Sequence, residues 1–298
     1  MEPLAILVTG SSSGFGEITS TTLARRGHRV FAGMREVAGH NSTAAAALEE
    51  LAREEDLRLS VVELDVCDDG SATAAVESMI GAAGRLDVLV NNAGSGIHGP
   101  LETLSIDQAR DLFESNLFSV LRMNREVLPH MRERGSGLLV HISSGLGRFV
   151  LPFNGMYCAT KYALEAIAET YRYELASVGV DSILVEPGVF ATRFFQNAAA
   201  NLPADAERAD GYPELQRIGR DMASRRPPAG DQVEVAEAIA HLIELPAGTR
   251  PLRTTVGPSA QRADSLNAAA AELGRAVLER AGMLEVATLA GQPAIEEV

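Results

Sequence analysis

Apolar residues along the chain fall into two alternating patterns. Short, almost continuous apolar runs recur at "LAILVT" (4–9), "RVFAG" (29–33), "LSVVEL" (59–64), "LDVLV" (86–90), "GLLVHI" (137–142) and "VDSILV" (180–185), with "RTTV" (253–256) as a seventh. Between them lie longer segments, roughly 14–26, 43–55, 70–83, 105–133, 155–177, 232–245 and 262–280, whose apolar residues are spaced by three and four. Continuous apolarity predicts strands buried on both faces, and helical segments between them provide the crossovers of a parallel sheet. The pattern predicts an α/β fold: a doubly wound, parallel, seven-stranded sheet in three layers. At 298 residues the chain reads as a single domain, 1–298, with a core at about 4–260 and a C-terminal helical extension at about 261–298. The periodicity weakens over 193–231, where aromatics, charges and prolines mix. That length exceeds an ordinary connection and predicts a substrate lid or an insertion.

Charge narrows the partners. A formal net charge of −14 repels nucleic-acid backbones and anionic lipid, so any anionic ligand must be held by local devices such as a helix N-terminus or a placed arginine. Two cysteines are too few for a disulfide framework and lack zinc spacing; reduced thiols in a cytoplasmic protein are expected. No secretory signal is expected from "MEPLAILVTG", and no apolar run is long enough for a membrane span. Neither HExxH nor a Walker lysine occurs, so no metal site is expected, and His98 reads as a loop residue.

The first strand runs straight into a helix through "TGSSSGFGE". Glycines at 10, 14 and 16 permit positive φ and close backbone approach, and the helix N-terminus offers unpaired N–H groups to a pyrophosphate. Gly10, Ser12, Ser13, Gly14, Phe15 and Gly16 are therefore candidate cofactor-binding residues. The second strand ends in "FAGMRE", where dinucleotide folds read the ribose: Arg35 suits a 2′-phosphate, while Glu36 is the alternative for a bare ribose. NADP(H) is thus expected over NAD(H), with NAD(H) still open. Asp65, followed by Val66, stands at the end of the third strand, where a carboxylate can accept from an adenine amino group or cap the next helix, a task for which Asp68 and Asp69 compete. In "VNNAG", Asn91, Ala93 and Gly94 suit backbone tethering and close cofactor approach.

"TGSSSGFG" (9–16), "NNAG" (91–94), Asn116 in "ESNLF", "SS" (143–144), "YCATK" (157–161) and "EPG" (186–188) occur in an order and spacing that resemble the short-chain dehydrogenase/reductase family, over about residues 4–192. The resemblance implies a Rossmann-type oxidoreductase with Tyr157 as acid/base, Lys161 as its tuner and nicotinamide-ribose ligand, Ser144 on the reacting oxygen and Asn116 in a proton relay. It also implies that Pro187, Gly188, Val189 and Thr192 hold the nicotinamide, and that subunits pair as a homodimer or homotetramer. A phenol titrates near pH 10; a lysine one helical turn away at about 4 Å would attract the phenolate by about 4 kcal/mol, up to about 3 pK units before desolvation. Lys161 is therefore expected to lower Tyr157. Phe149, Val150, Leu151, Phe153, Met156, Phe190, Phe194 and Phe195 predict a hydrophobic pocket, or core packing for some of them. The run "PFNGMYCATKYALEA" (152–166) also resembles the branch containing hydroxysteroid and retinol dehydrogenases, and together these imply a hydrophobic ketone, aldehyde or secondary alcohol as substrate. The same fold acting as an isomerase or epimerase, or as a non-catalytic NADP(H) sensor, is the alternative.

Overall fold

The protein's structure, a computed structural model, describes residues 2–190, 192, 194, 198, 201–224 and 229–289. Seven strands form one sheet: β1 Ala5–Thr9, β2 Arg29–Met34, β3 Leu59–Glu63, β4 Val88–Asn91, β5 Gly137–Ile142, β6 Val180–Pro187 and β7 Arg253–Val256. Their order is β3-β2-β1-β4-β5-β6-β7, and every pairing is parallel. The strand order reverses between β1 and β4, the crevice where open α/β sheets bind ligands.

Two-sided burial explains the continuous apolar runs. On β1, Ile6 and Val8 face a core shared with Leu23, Val235 and Ile239, whereas Ala5 and Leu7 face a second core with Met79, Met123 and Val127. The first core is covered by α1 Gly14–Arg25, α2 Ser42–Glu54 and the later helix α8 Gln232–Glu244; the second is covered by α3 Asp69–Ala83 and α5 Ser119–Arg134. Local chemistry sets the helix ends: the Asp68 carboxylate accepts from Ser71 N at 2.7 Å, and Gly84 and Gly135 take the left-handed conformation behind α3 and α5.

The segment read as one helix over 105–133 is three pieces. α4 Ile106–Phe113 starts at a Ser105/Gln108 capping box, a π-helical turn covers Glu114–Phe118, and α5 follows without a break. The wide turn leaves the apolar rhythm intact, so periodicity did not show it. α6 Gly155–Glu174 packs against this region through Leu164, Leu117 and Val120. The 193–231 stretch holds a 3₁₀ turn, Ala206–Gly211, and α7 Pro213–Ser224 among its described residues. α9 Asp264–Arg280 forms the C-terminal helix. Among the described residues no helix is long and apolar enough to cross a membrane.

Candidate active site

The glycine turn is held by backbone geometry and by its neighbours from β4. Gly10 and Gly14 have φ of +71° and +61°, conformations that a side chain resists. A Cβ on Gly16 would collide with the Gly10 carbonyl and come within 2.5 Å of Asn92 Nδ2; one on Gly10 would come within 2.9 Å of Ala93 Cα. Thr9 Oγ1 donates to Val90 O and accepts from both Asn92 N and Ala93 N at 3.0 Å, while Asn92 Nδ2 donates to Thr9 O at 2.9 Å. Ser13 stands at the N-cap of α1 in extended conformation, yet its side chain makes no capping hydrogen bond. The first N–H groups of α1 therefore keep their affinity for an anion, and the glycines leave the backbone bare beside them. Ser12 and the half-buried Phe15 complete the turn; Phe15 packs edge-on against Phe190 at 5.3 Å between centroids. This cradle fits a dinucleotide pyrophosphate.

Farther along the sheet edge, Arg35 is exposed, with its carbonyl accepting from Asn41 Nδ2 at 2.8 Å. Glu63 grips the same loop, accepting from the N–H groups of Glu36 and Val37 at 2.7 and 2.9 Å. Glu36 has a φ of +52°, and its carboxylate lies over Gly39. Asp65 does not cap α3, since Asp68 does; instead its Oδ1 accepts from Cys67 N at 2.9 Å. Val66 turns its carbonyl to Arg122 Nη1 at 2.8 Å. The Asn91 side chain points into the fold, donating to Asn124 Oδ1 at 2.9 Å beside the buried His141, so only its backbone faces the β4 end. Gly94 lies against Asn116, whose Oδ1 a Cβ would approach to 3.0 Å.

At the chemical end, β5 presents Ser144 and α6 presents Tyr157 and Lys161. The Ser144 hydroxyl accepts from Leu146 N at 3.1 Å and acts on the Tyr157 phenol. Lys161 Nζ donates to Ile142 O at 2.8 Å and lies 5.7 Å from the Tyr157 ring centroid. Asn116, buried in the π turn, accepts from Ser95 N at 2.7 Å and donates to Ser95 O and to Thr160 Oγ1, both at 3.0 Å. The wide turn thus aims Asn116 across the β4 exit and onto α6 in one step. Tyr157 as a residue is only half-buried, but enclosure of its phenol pushes the pKa above the usual range, with the Ser144 hydroxyl opposing. This corrects the expectation that Lys161 lowers it. The ammonium is itself brought down to about 8 by burial and is engaged by the Ile142 carbonyl, so the cost of dehydrating phenolate prevails.

Pro187, Gly188 and Val189 leave β6 in contact with the loop after β7: Gly188 N donates to Val256 O at 2.9 Å and Val189 N to Pro258 O at 3.1 Å. Thr192 faces the glycine turn, 3.8 Å from where a Gly14 Cβ would sit. Phe190 is core rather than pocket, 2% exposed and wedged between Gly230 and Gly257 under Phe15. Phe194 lies 5.2 Å from the Tyr157 ring, Phe153 stacks on His98 at 5.3 Å, and Phe195 falls outside the described residues. A groove of about 570 Å³ opens beside Gly155, lined by Leu101, Leu151, Phe153, Tyr212 and Leu215, with Glu102 as its charged member. Sequence reasoning missed Thr9 and Thr160; a β-branched hydroxyl ending a strand before glycine was the available signal for the first.

A parallel sheet with a glycine turn at its switch point and a Ser–Tyr–Lys group on the neighbouring strand and helix defines a dinucleotide-type α/β oxidoreductase. Comparison with known proteins agrees: the short chain dehydrogenase model matches residues 4–203. The chain is 38% identical over 197 residues to 3-ketodihydrosphingosine reductase of Bacteroides thetaiotaomicron, covering 66% of this chain and 68% of that protein. It is 34% identical over 255 residues to human retinol dehydrogenase 8, covering 84% and 79%. Among solved structures, a short-chain dehydrogenase from Streptomyces avermitilis superposes with a TM-score of 0.76 at 32% identity, covering 94% of this chain and 98% of that one. An alcohol dehydrogenase from Thermococcus sibiricus complexed with 5-hydroxy-NADP gives 0.69 at 26%, covering 88% and 99%. The chain belongs to the short-chain dehydrogenase family and is an oxidoreductase of that NAD(P)-binding family.

Proposed function

We propose that the protein is an NADP(H)-dependent oxidoreductase that interconverts a hydrophobic ketone or aldehyde and the corresponding alcohol, with Tyr157 as the acid/base. The observation that carries this reading is the convergence of Ser144 and Lys161 on the Tyr157 phenol, with the Lys161 ammonium 5.7 Å from the ring centroid. The bound nicotinamide would supply the hydride chemistry. Gly10, Ser12, Ser13, Gly14, Phe15 and Gly16 would hold its pyrophosphate end, and Asp65, Val66, Asn91, Ala93 and Gly94 its adenosine end. Pro187, Gly188, Val189, Thr192 and Lys161 would hold its nicotinamide end. Arg35 would read a 2′-phosphate: it is exposed, while the neighbouring Glu36 N–H is engaged by Glu63 and the Glu36 carboxylate is folded over Gly39. The alcohol dehydrogenase from Thermococcus sibiricus is complexed with 5-hydroxy-NADP, which supports the same choice.

On this reading the substrate oxygen sits between the Ser144 hydroxyl and the Tyr157 phenol. Tyr157, protonated at neutral pH, gives its proton to a carbonyl oxygen in reduction and recovers one afterwards through Lys161 and a water that Asn116 would support. Lys161 favours the phenolate as it forms, and Asn116 fixes the Ser95 backbone that borders the cleft. The apolar groove and Phe194 favour substrates with little polarity beyond the reacting group, as the names of the sphingosine and retinol relatives do.

The test is NADPH and NADH binding by the purified protein, followed by nicotinamide absorbance with hydrophobic ketones and aldehydes. NADPH is expected to bind the more tightly, and Tyr157→Phe to keep that affinity while turnover falls by about 10²–10⁴-fold. A Tyr157→Phe enzyme with wild-type turnover would sink the mechanism. Equal affinity for both cofactors in wild type and Arg35→Ala would sink the NADP(H) assignment alone.

A further inference from the structure

Behind Lys161 lies a buried ionic cluster that the proposed reaction does not use. Glu165 follows Lys161 by one turn on the same face of α6 and is 2% exposed. Its Oε2 accepts from Arg253 Nε at 2.8 Å, while its Oε1 is buried without a protein partner. Arg253, on β7, also donates to Glu169 at 2.6 Å and stands 3.6 Å from Glu186 of β6. Asn267 of α9 donates to the other Glu186 oxygen at 2.7 Å, which ties the C-terminal helix to the cluster. Arg148, from the loop after β5, acts on both Glu169 and Glu186. His141 of β5 is held neutral by burial, with repulsion from Lys161 adding to it.

Charge counting shows what the cluster lacks. One guanidinium, Arg253, contacts three carboxyl groups, so its charge cannot neutralise Glu165 alone. With Arg148 there are two cations against three carboxyls, and Lys161 is the third cation. A buried ammonium with no carboxylate in range would deprotonate, because desolvation falls on the charged form.

We propose that Glu165 is a positioning residue for Lys161: its carboxylate, pinned by Arg253 one helical turn behind the ammonium, is the buried counter-charge that keeps the lysine an ammonium inside the cleft. The proposal rests on the proposed function, in which Lys161 favours the Tyr157 phenolate as it forms. Glu165 touches neither of the reacting groups and acts through the lysine. Burial brings Lys161 down to about 8, and Glu165 is the group that opposes the fall.

The test is the titration of Lys161 itself, followed by NMR in protein labelled with ¹³Cε-lysine without cofactor, with the resonance assigned by Lys161→Arg. Glu165→Gln is expected to lower the Lys161 midpoint by about one to two pH units, and Glu165→Asp to restore part of it. In turnover assays with NADPH, the alkaline limb of the Glu165→Gln profile should move to lower pH by the same amount. An unchanged midpoint in Glu165→Gln overturns the proposal. Should Glu165→Gln not fold, the wild-type protein decides: a Lys161 midpoint above pH 7 supports the proposal, and one below pH 7 overturns it. Lys161→Ala separates the two claims. Full activity in that variant refutes the role of Lys161, whereas an inactive Lys161→Ala with an unmoved Glu165→Gln titration refutes only the role of Glu165.

Discussion

The two rims of the cleft are built from different interactions. The glycine turn is clamped by backbone and buried side-chain hydrogen bonds from Thr9 and Asn92, and it has no room for a single added carbon at Gly16. The opposite rim, residues 201–224, is attached through exposed groups. Tyr212 Oη donates to Glu102, Arg208 Nη1 lies 3.3 Å from the same carboxylate, and Gln108 donates to Leu202 O at 2.8 Å while accepting from Ala204 N at 2.9 Å. A pyrophosphate is an invariant shape best met by a fixed backbone. On the proposed function a bulky substrate would enter and leave past the second rim, which is held by exposed contacts that cost little to open.

The contrast breaks most visibly at glycine. Gly16→Ala should destabilise the protein by about 1–3 kcal/mol through overpacking and abolish measurable cofactor binding, because the new carbon meets the Gly10 backbone. The sign is informative, since alanine inside a helix ordinarily gains up to about 1 kcal/mol over glycine. Gly211→Ala, where an added Cβ meets nothing within 4 Å, should change stability by no more than about 0.5 kcal/mol. Denaturant midpoints and cofactor fluorescence titration check both. Equal behaviour of the two variants would mean that the rims are not built differently.

Thr9→Val sharpens the comparison within the rigid rim. The substitution keeps the shape and removes the acceptor of two N–H groups together with the donor to Val90 O. A loss of about 1–3 kcal/mol is expected, with roughly tenfold weaker cofactor binding as the β1 and β4 ends lose their common anchor. If the melt falls while affinity stays, Thr9 supports the sheet and not the cradle.

The same division explains what the sequence disclosed. The rigid rim is local: glycine spacing, strand ends and the Tyr157/Lys161 turn all lie within short stretches, and two-sided strand burial gave the sheet from apolarity alone. The π turn at Glu114–Phe118 was hidden because it preserves the apolar rhythm while shifting the helix by one residue. Phe190 stood open between pocket and core because an aromatic after a strand end carries no sign of which side it will pack; Gly230 and Gly257, far along the chain, show that it goes inward. The enclosure that raises Tyr157 could not be weighed against Lys161 before the depth of both was known. Glu102 and Tyr212 stand 110 residues apart, and no local pattern joins them.

That latch gives the smallest expected effect. The Tyr212 and Arg208 contacts hold the Glu102 pKa below the ordinary carboxylate range, and Glu102 in turn raises the Tyr212 phenol, so neither partner changes charge between about pH 6 and 9. The latch is therefore insensitive to pH there but sensitive to salt, being exposed. Glu102→Gln should leave the melting temperature unchanged and raise KM for a bulky ketone by about two- to fivefold, with kcat unchanged or slightly higher where lid opening limits release. Added salt should move the wild-type KM toward that of the variant and leave the variant's own KM unmoved. A wild-type KM indifferent to salt would instead assign closure to the apolar contact of Phe153 with Gly219 on α7, and the second rim would then be held by packing, as the first is held by backbone.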